Sequence, residues 1–210
     1  MLLIALLSTI GGALPIRPEP IGDPAHWVEA SDIPQSQWSR ATVTSFDLTI
    51  DSSGKPVSCT ITNPSSSTII DGIVCQSLMR NARYKPARDP SGIALPAVVR
   101  DHVQWHPNVN GDNRYLSNSP DIIVSSELAK SKSRYDIVKV VELIDAAGSV
   151  EACAAYKPSK IQRLNEIACE IAGRADISLP VRDGQGTPVR GVRAFNVGFF
   201  AGDVNHVQIR

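Results

Sequence analysis

The sequence has no excess of charge of either sign: 21 Lys and Arg stand against 21 Asp and Glu, for a formal net charge of zero. No basic stripe interleaved with aromatics occurs, which removes the electrostatic footprint of a nucleic-acid binder. No apolar run reaches the roughly 20 residues that a membrane-crossing helix needs. The N-terminal run from Leu2 to Ile10, followed by Gly11, Gly12 and Ala13, stops short of that length. It resembles the apolar region of a secretory signal without the usual basic start, so an uncleaved anchor and a buried segment stay open as alternatives. There is no CxxC or Cys-x-x-His spacing, and the four cysteines do not read as a zinc site. No HExxH, GxSxG, Walker loop or GxGxxG is present. The Gly-Gln-Gly at 184–186 lies in a loop. His26, His102, His106 and His206 fall in no ligand pattern, and His102 reads as an ordinary strand histidine. Nothing points to an enzyme; no cofactor, metal, nucleic acid or small-molecule substrate is expected.

What the chain does contain is one stretch twice. Residues 50–59 read IDSSGKPVSC and residues 144–153 read IDAAGSVEAC. The same 94-residue offset carries Cys75 onto Cys169, Pro86 onto Pro180, Asp89 onto Asp183 and Gly92 onto Gly186. Beyond Gly186 the prolines slip by two: Pro96 follows Gly92 by four residues, Pro188 follows Gly186 by two. A repeat of this kind predicts two copies of one unit. Four cysteines allow three connectivities. Repeat symmetry selects Cys59 with Cys75 and Cys153 with Cys169, each joining a strand to a helix. Such pairing requires an oxidising compartment, in agreement with an exported chain.

In chain order, residues 16–40 are rich in proline and form no long element; Trp27 and Trp38 are expected to pack on the domain after this arm. Residues 42–50 alternate, with Thr44, Phe46, Leu48 and Ile50 on one face, and predict a half-buried strand. Gly54 closes the turn, and Val57, Cys59 and Ile61 share a face of a second strand. A helix starts at Thr68 with Asp71 three residues on, carries an apolar stripe of Ile70, Ile73, Val74 and Leu78, and ends near Ala82. Residues 95–105 form the last strand. The core of this unit is expected at Phe46, Leu48, Ile50, Val57, Ile61, Ile70, Val74 and Leu78. The second copy follows as strands 137–144 and 150–155, a helix from Ser159 to Ala172 and a strand from Val189 to Phe200. The fold class is α+β: two tandem β-β-α-β domains, each an antiparallel sheet covered by one helix and stapled by one disulfide. The expected divisions are a signal peptide or short hydrophobic segment at 1–15, a first domain with its Pro-rich arm at 16–107, a polar linker at 108–133 and a second domain at 134–205.

The first copy resembles the TonB C-terminal domain, the periplasmic end of a bacterial energy transducer. The resemblance covers residues 31–106 and rests on Asp51-x-x-Gly54 followed by Val57, then Arg83-Tyr84-Lys85-Pro86 before a last strand. The second copy keeps the turn and the cysteines, but Asp176-Ile177-Ser178-Leu179-Pro180 replaces the arginine-aromatic pair. The resemblance implies a periplasmic protein that offers a sheet edge to a short receptor segment, the TonB box, by strand addition. It places that edge on the last strand, at Val98, Val99, Arg100, Asp101, His102, Val103, Gln104 and Trp105, with Arg100 and Gln104 at its rim. The implied partner is an outer-membrane receptor segment or another periplasmic protein, in service of transmembrane transport. The chain lacks a membrane-spanning helix and the long Pro-Lys/Pro-Glu spacer of a transducer, so binding is credited over transduction. The alternative is a structural protein that pairs the same edges with themselves, as a homodimer, since unpaired edges invite such contacts.

Overall fold

The computed structural model describes residues 14–37, 41–105, 114–115, 120–130, 135–174, 180–202 and 207–209. The apolar N-terminal run through residue 13, Trp38, His106, His206 and the Asp176–Leu179 stretch lie outside the described residues.

The alternating segment forms β1 (Thr42–Ile50), and the run after Gly54 forms β2 (Pro56–Asn63). Gly54 takes φ 89°, a left-handed backbone that glycine adopts without cost. Asp51 Oδ1 accepts from the backbone N–H of Ser53 and Lys55 and locks the turn. The helix α1 (Thr68–Asn81) comes next. Its N-cap is Ser67, whose hydroxyl accepts from the Ile70 N–H, one residue earlier than the Thr68–Asp71 pattern predicts. Asp71 instead turns inward and accepts from the Thr44 hydroxyl and the Ser65 N–H. The last strand of this half is β3 (Ala97–Trp105).

A strand then appears inside the expected linker: β4 (Ile122–Ser126), buried throughout. The second half runs through β5 (Asp136–Ile144), β6 (Val150–Lys157), α2 (Gln162–Ala172) and β7 (Gly191–Ala201), and β8 (Val207–Ile209) pairs with β4. Hydrogen bonds recur at the 94-residue offset. Asp145 accepts from Ala147 and Ser149 as Asp51 does from Ser53 and Lys55. Arg182 donates to the Gly186 carbonyl as Arg88 does to Gly92. Asn165 accepts from Ser159 as Asp71 does from Ser65. The two-residue slip read from the prolines does not reach the last strand. Ala97 lies opposite Ile50 and Gly191 opposite Ile144, so the offset is still 94.

The protein is α+β and mostly sheet. The two halves are not separate sheets: the strand order is β6-β5-β7-β3-β1-β2, and β3 pairs in parallel with β7 through residues 97–99 and 192–194. Parallel pairing of the two last strands puts the helices on opposite faces. Phe46, Leu48 and Ile50 share a face with Ala97 and Val99, and so with Val192, Ala194, Val141 and Leu143. α1 covers that face in the first half, where Ile70, Val74 and Leu78 join Phe46 and Leu48. α2 covers the opposite face in the second half, with Leu164, Ala168 and Ala172 against Val138, Val140, Phe195 and Phe199. Of the expected core, Val57 and Ile61 are only half-buried because β2 ends the sheet. Cys59 is bonded to Cys75 and Cys153 to Cys169, with Cα atoms 5.5 and 5.8 Å apart.

Candidate functional site

The resemblance implies a free edge at Val98–Trp105, and this strand is interior. β1 lies along its whole length on one side. On the other side β7 pairs with residues 97–99, and the short strand Arg114–Tyr115 pairs with residues 103–104. Val103 and Trp105 are buried in the core of the first half. Arg100, expected at a rim, makes a two-pronged pair with Asp47 on β1, both contacts 2.7 Å. Gln104 is half-buried.

Between those two pairings β3 and β7 diverge, and β4 enters alongside β7. A fork of this kind leaves backbone groups without a ladder partner, and buried backbone donors must be satisfied elsewhere. Two carboxylates do this. Asp121 Oδ2 accepts from the Asn196 N–H at 2.7 Å while its own N–H donates to the Asn196 carbonyl at 2.8 Å. Asp101 Oδ1 accepts from the His102 N–H at 2.8 Å. His102 Nε2 lies 3.1 Å from Asp121 Oδ1, and Nδ1 lies 2.8 Å from the Ser45 hydroxyl. Ser, His and Asp in a row have the composition of a nucleophile relay. Ser45 is 2% exposed, however, and the cavity over the fork does not reach it. The chain of contacts fixes the fork. Burial holds the Asp121 carboxyl above the usual carboxylate range, against the opposing pull of His102.

This cavity lies on the α1-side of the fork and has a volume of about 540 Å³. Its floor comes from β3, β5, β6 and β7 through Asp101, Lys139, Tyr156 and Asn196. Its roof is the N-terminal arm, with Arg17, Pro18, Pro20, Asp23 and Trp27. The motif residues hold this roof in place. The Tyr84 N–H donates to the Gly54 carbonyl at 3.0 Å, and a side chain at Gly54 would strike the Tyr84 carbonyl. Asp51-x-x-Gly54 and Arg83-Tyr84-x-Pro86 are therefore one structure: the first turn is the seat for the second. Tyr84 then pairs with Pro20 of the arm, the Arg83 carbonyl accepts from Ile21, and the Trp27 and Tyr84 rings meet at 5.0 Å. The Arg17 guanidinium stands 4.7 Å above the Tyr156 ring.

The electrostatics of the cavity follow from burial. Desolvation pushes the Asp101 carboxyl up to about 6, a shift that Asp121 reinforces and that the His102 N–H and Lys139 oppose. Burial lowers the Lys139 ammonium, and Lys157 lowers it further. Tyr84 and Tyr156 are both raised by burial. Among the described residues no three metal-ligating side chains gather, and no helix is long and apolar enough to cross a membrane.

Sequence reasoning places Asp101 on the edge strand and misses Arg17, Asp121, Lys139, Tyr156 and Asn196. These come from five separate segments, and no spacing connects them. The one visible signal is Pro120-Asp121-Ile122, an acidic residue at the entrance to a short apolar patch.

No protein-family model, curated protein or solved structure matches the chain.

Proposed function

We propose that the chain is an exported periplasmic protein built from two tandem β-β-α-β units of the TonB C-terminal type, and that it is a self-sealing, self-associating scaffold rather than an energy transducer. The observation that carries this reading is the parallel pairing of β3 with β7. In a TonB-like unit the last strand is the one that would receive a receptor segment. Here each last strand takes the other as its partner, and strand addition there has no room. The recurrence of turn and cap hydrogen bonds at one offset supports the tandem reading, and two disulfides fit an oxidising compartment. The strands that end the main sheet path are β2 and β6. An unpaired outer strand is a template for another chain; among the described residues β8 ends the short branch through β4, and β2 and β6 are the two long outer strands to which further association falls. Recognition of a receptor segment by strand addition is the second reading, and the same outer strands are its available place.

The test is a photo-crosslinking residue introduced in turn at Thr60 on β2, Ala155 on β6 and Val98 on β3, with the protein expressed in the periplasm. A second copy of the chain crosslinked from Thr60 or Ala155 supports the first reading; a receptor segment captured there supports the second. A receptor segment captured from Val98 overturns both.

A further inference from the structure

We propose that the cavity beneath the N-terminal arm is a binding site for a small organic carboxylate bearing an aryl group. Three features of the lining point to that class. The first is charge. Arg17, Arg100, Lys139 and Lys157 line the cavity against two carboxylates, Asp23 and Asp101; Arg100 is paired with Asp47, and Arg17 Nη1 also donates to the Pro18 carbonyl at 3.2 Å. Asp23 is already used locally, since its Oδ1 caps the Ala25 N–H at 3.0 Å. A concave, partly desolvated site with an excess of one sign attracts a ligand of the other. The second feature is the wall. Trp27, Tyr84 and Tyr156 present ring surface, and the flat side chains of Pro18 and Pro20 lie in the same lining. Pockets for small ligands combine such apolar walls with a few placed polar groups, and their volumes run from about 300 to 1,000 Å³. At about 540 Å³ the cavity is of that size. The third is construction. The floor is sheet, from β3, β5, β6 and β7, while the roof is attached through short pairings of Glu19 with Lys85 and of Ile16 with Arg88. A ligand can be enclosed without disturbing the strands.

Asp101 gives the site a pH signature. It is faced by Asp121 and His102 at the fork, by Lys139 from β5, by Tyr84 and by Tyr156 from β6, and it shares the cavity lining with Arg17 of the arm. Ionised, it repels a bound carboxylate; protonated, it can donate to one. Binding therefore tightens as the pH falls through the range in which Asp101 takes up its proton, near 6.

Isothermal titration of the purified chain with 3-phenylpropionate, 3-phenylpropanamide and phenethylamine, at about pH 5.5 and 7.5, tests this. The acid should bind, the amide should bind about tenfold more weakly or worse, and the amine should not bind. Loss of a charge-assisted contact in Lys139→Gln or Arg17→Gln should weaken the acid by about tenfold or more. Asp101→Asn should bind the acid with no preference for the lower pH. Arg17 lies on the arm, outside the sheet, so Arg17→Gln provides a folded variant even if Lys139→Gln does not fold. The proposal is overturned if the acid does not bind, if the amide or amine matches it, or if Arg17→Gln binds like the parent.

Discussion

Leu48 lies opposite Cys59 and Val99 on the sheet, and Glu142, 94 residues later, lies opposite Cys153 and Arg193. An apolar row in one half is a charged row in the other. Glu142 is fully buried and neither of its carboxyl oxygens has a hydrogen bond. Burial pushes its carboxyl up to about 7, with Arg193 opposing. Because the folded value lies above the ordinary value of 4.5, the protonated form favours the fold. The stability from this group is therefore complete below about pH 4.5, falls as the pH rises toward 7, and is flat above. At ~1.4 kcal/mol per pH unit the ceiling is about 3 kcal/mol. Glu142→Gln should leave the urea midpoint nearly unchanged at pH 4.5 and raise it at pH 8. Equal midpoints for the two proteins at pH 8 would show that Glu142 carries its charge in the fold at no cost. The carboxylate inside Val140-Val141-Glu142-Leu143-Ile144 is visible in the sequence. Its partner Arg193 is not, because strand pairing is long-range.

Elements are legible where a period repeats. The alternation over residues 42–50 gives β1 its bounds and its core face, although Ser45 on the other face is buried as well, and of the helical stripe Ile70, Val74 and Leu78 face the core as α1 while Ile73 is half-buried. Leu78 is 0% exposed, so Leu78→Ala should cost about 2–5 kcal/mol in a denaturant titration. An unchanged midpoint would mean that the helix face is misassigned. Each disulfide closes a 16-residue separation, and opening either one should cost about 3 kcal/mol. Non-reducing peptide maps should contain no crosslink between the halves. What the periodicity could not reveal is β4. Five residues between polar neighbours carry no period of their own, and their burial comes from lying beside β7. The role of β3 escapes for a related reason. Alternation tells which face of a strand is buried and nothing about which strands stand beside it, so an interior strand and an edge strand read alike.

At the scale of the molecule, one sheet with a helix on each face joins the halves. Besides the β3–β7 pairing, Arg190 spans them, with its guanidinium 2.9 Å from Asp89 in the first half and 2.8 Å from Glu151 in the second. Asp89 is held below the usual carboxylate range chiefly by that arginine. Hairpins also cross over: Ala87 and Leu95 of the first half pack on Val141, Leu143 and Val192 of the second. Thermal unfolding followed by far-ultraviolet circular dichroism and by tryptophan fluorescence should therefore coincide in one transition, although Trp27 and Trp105 both belong to the first half. Two separated transitions would mean that the halves fold as independent units.

Because β3 and β7 belong to one chain, their meeting does not depend on concentration. Two such halves on separate chains would meet only as often as diffusion allows, and dilution would part them. Tethered on one chain, each last strand sees the other at an effective concentration set by the chain that joins them and not by the amount of protein. The seam is a first-order closure and forms at the same rate however little protein is present. A chain of this design can be scarce in its compartment and still keep both of its last strands covered.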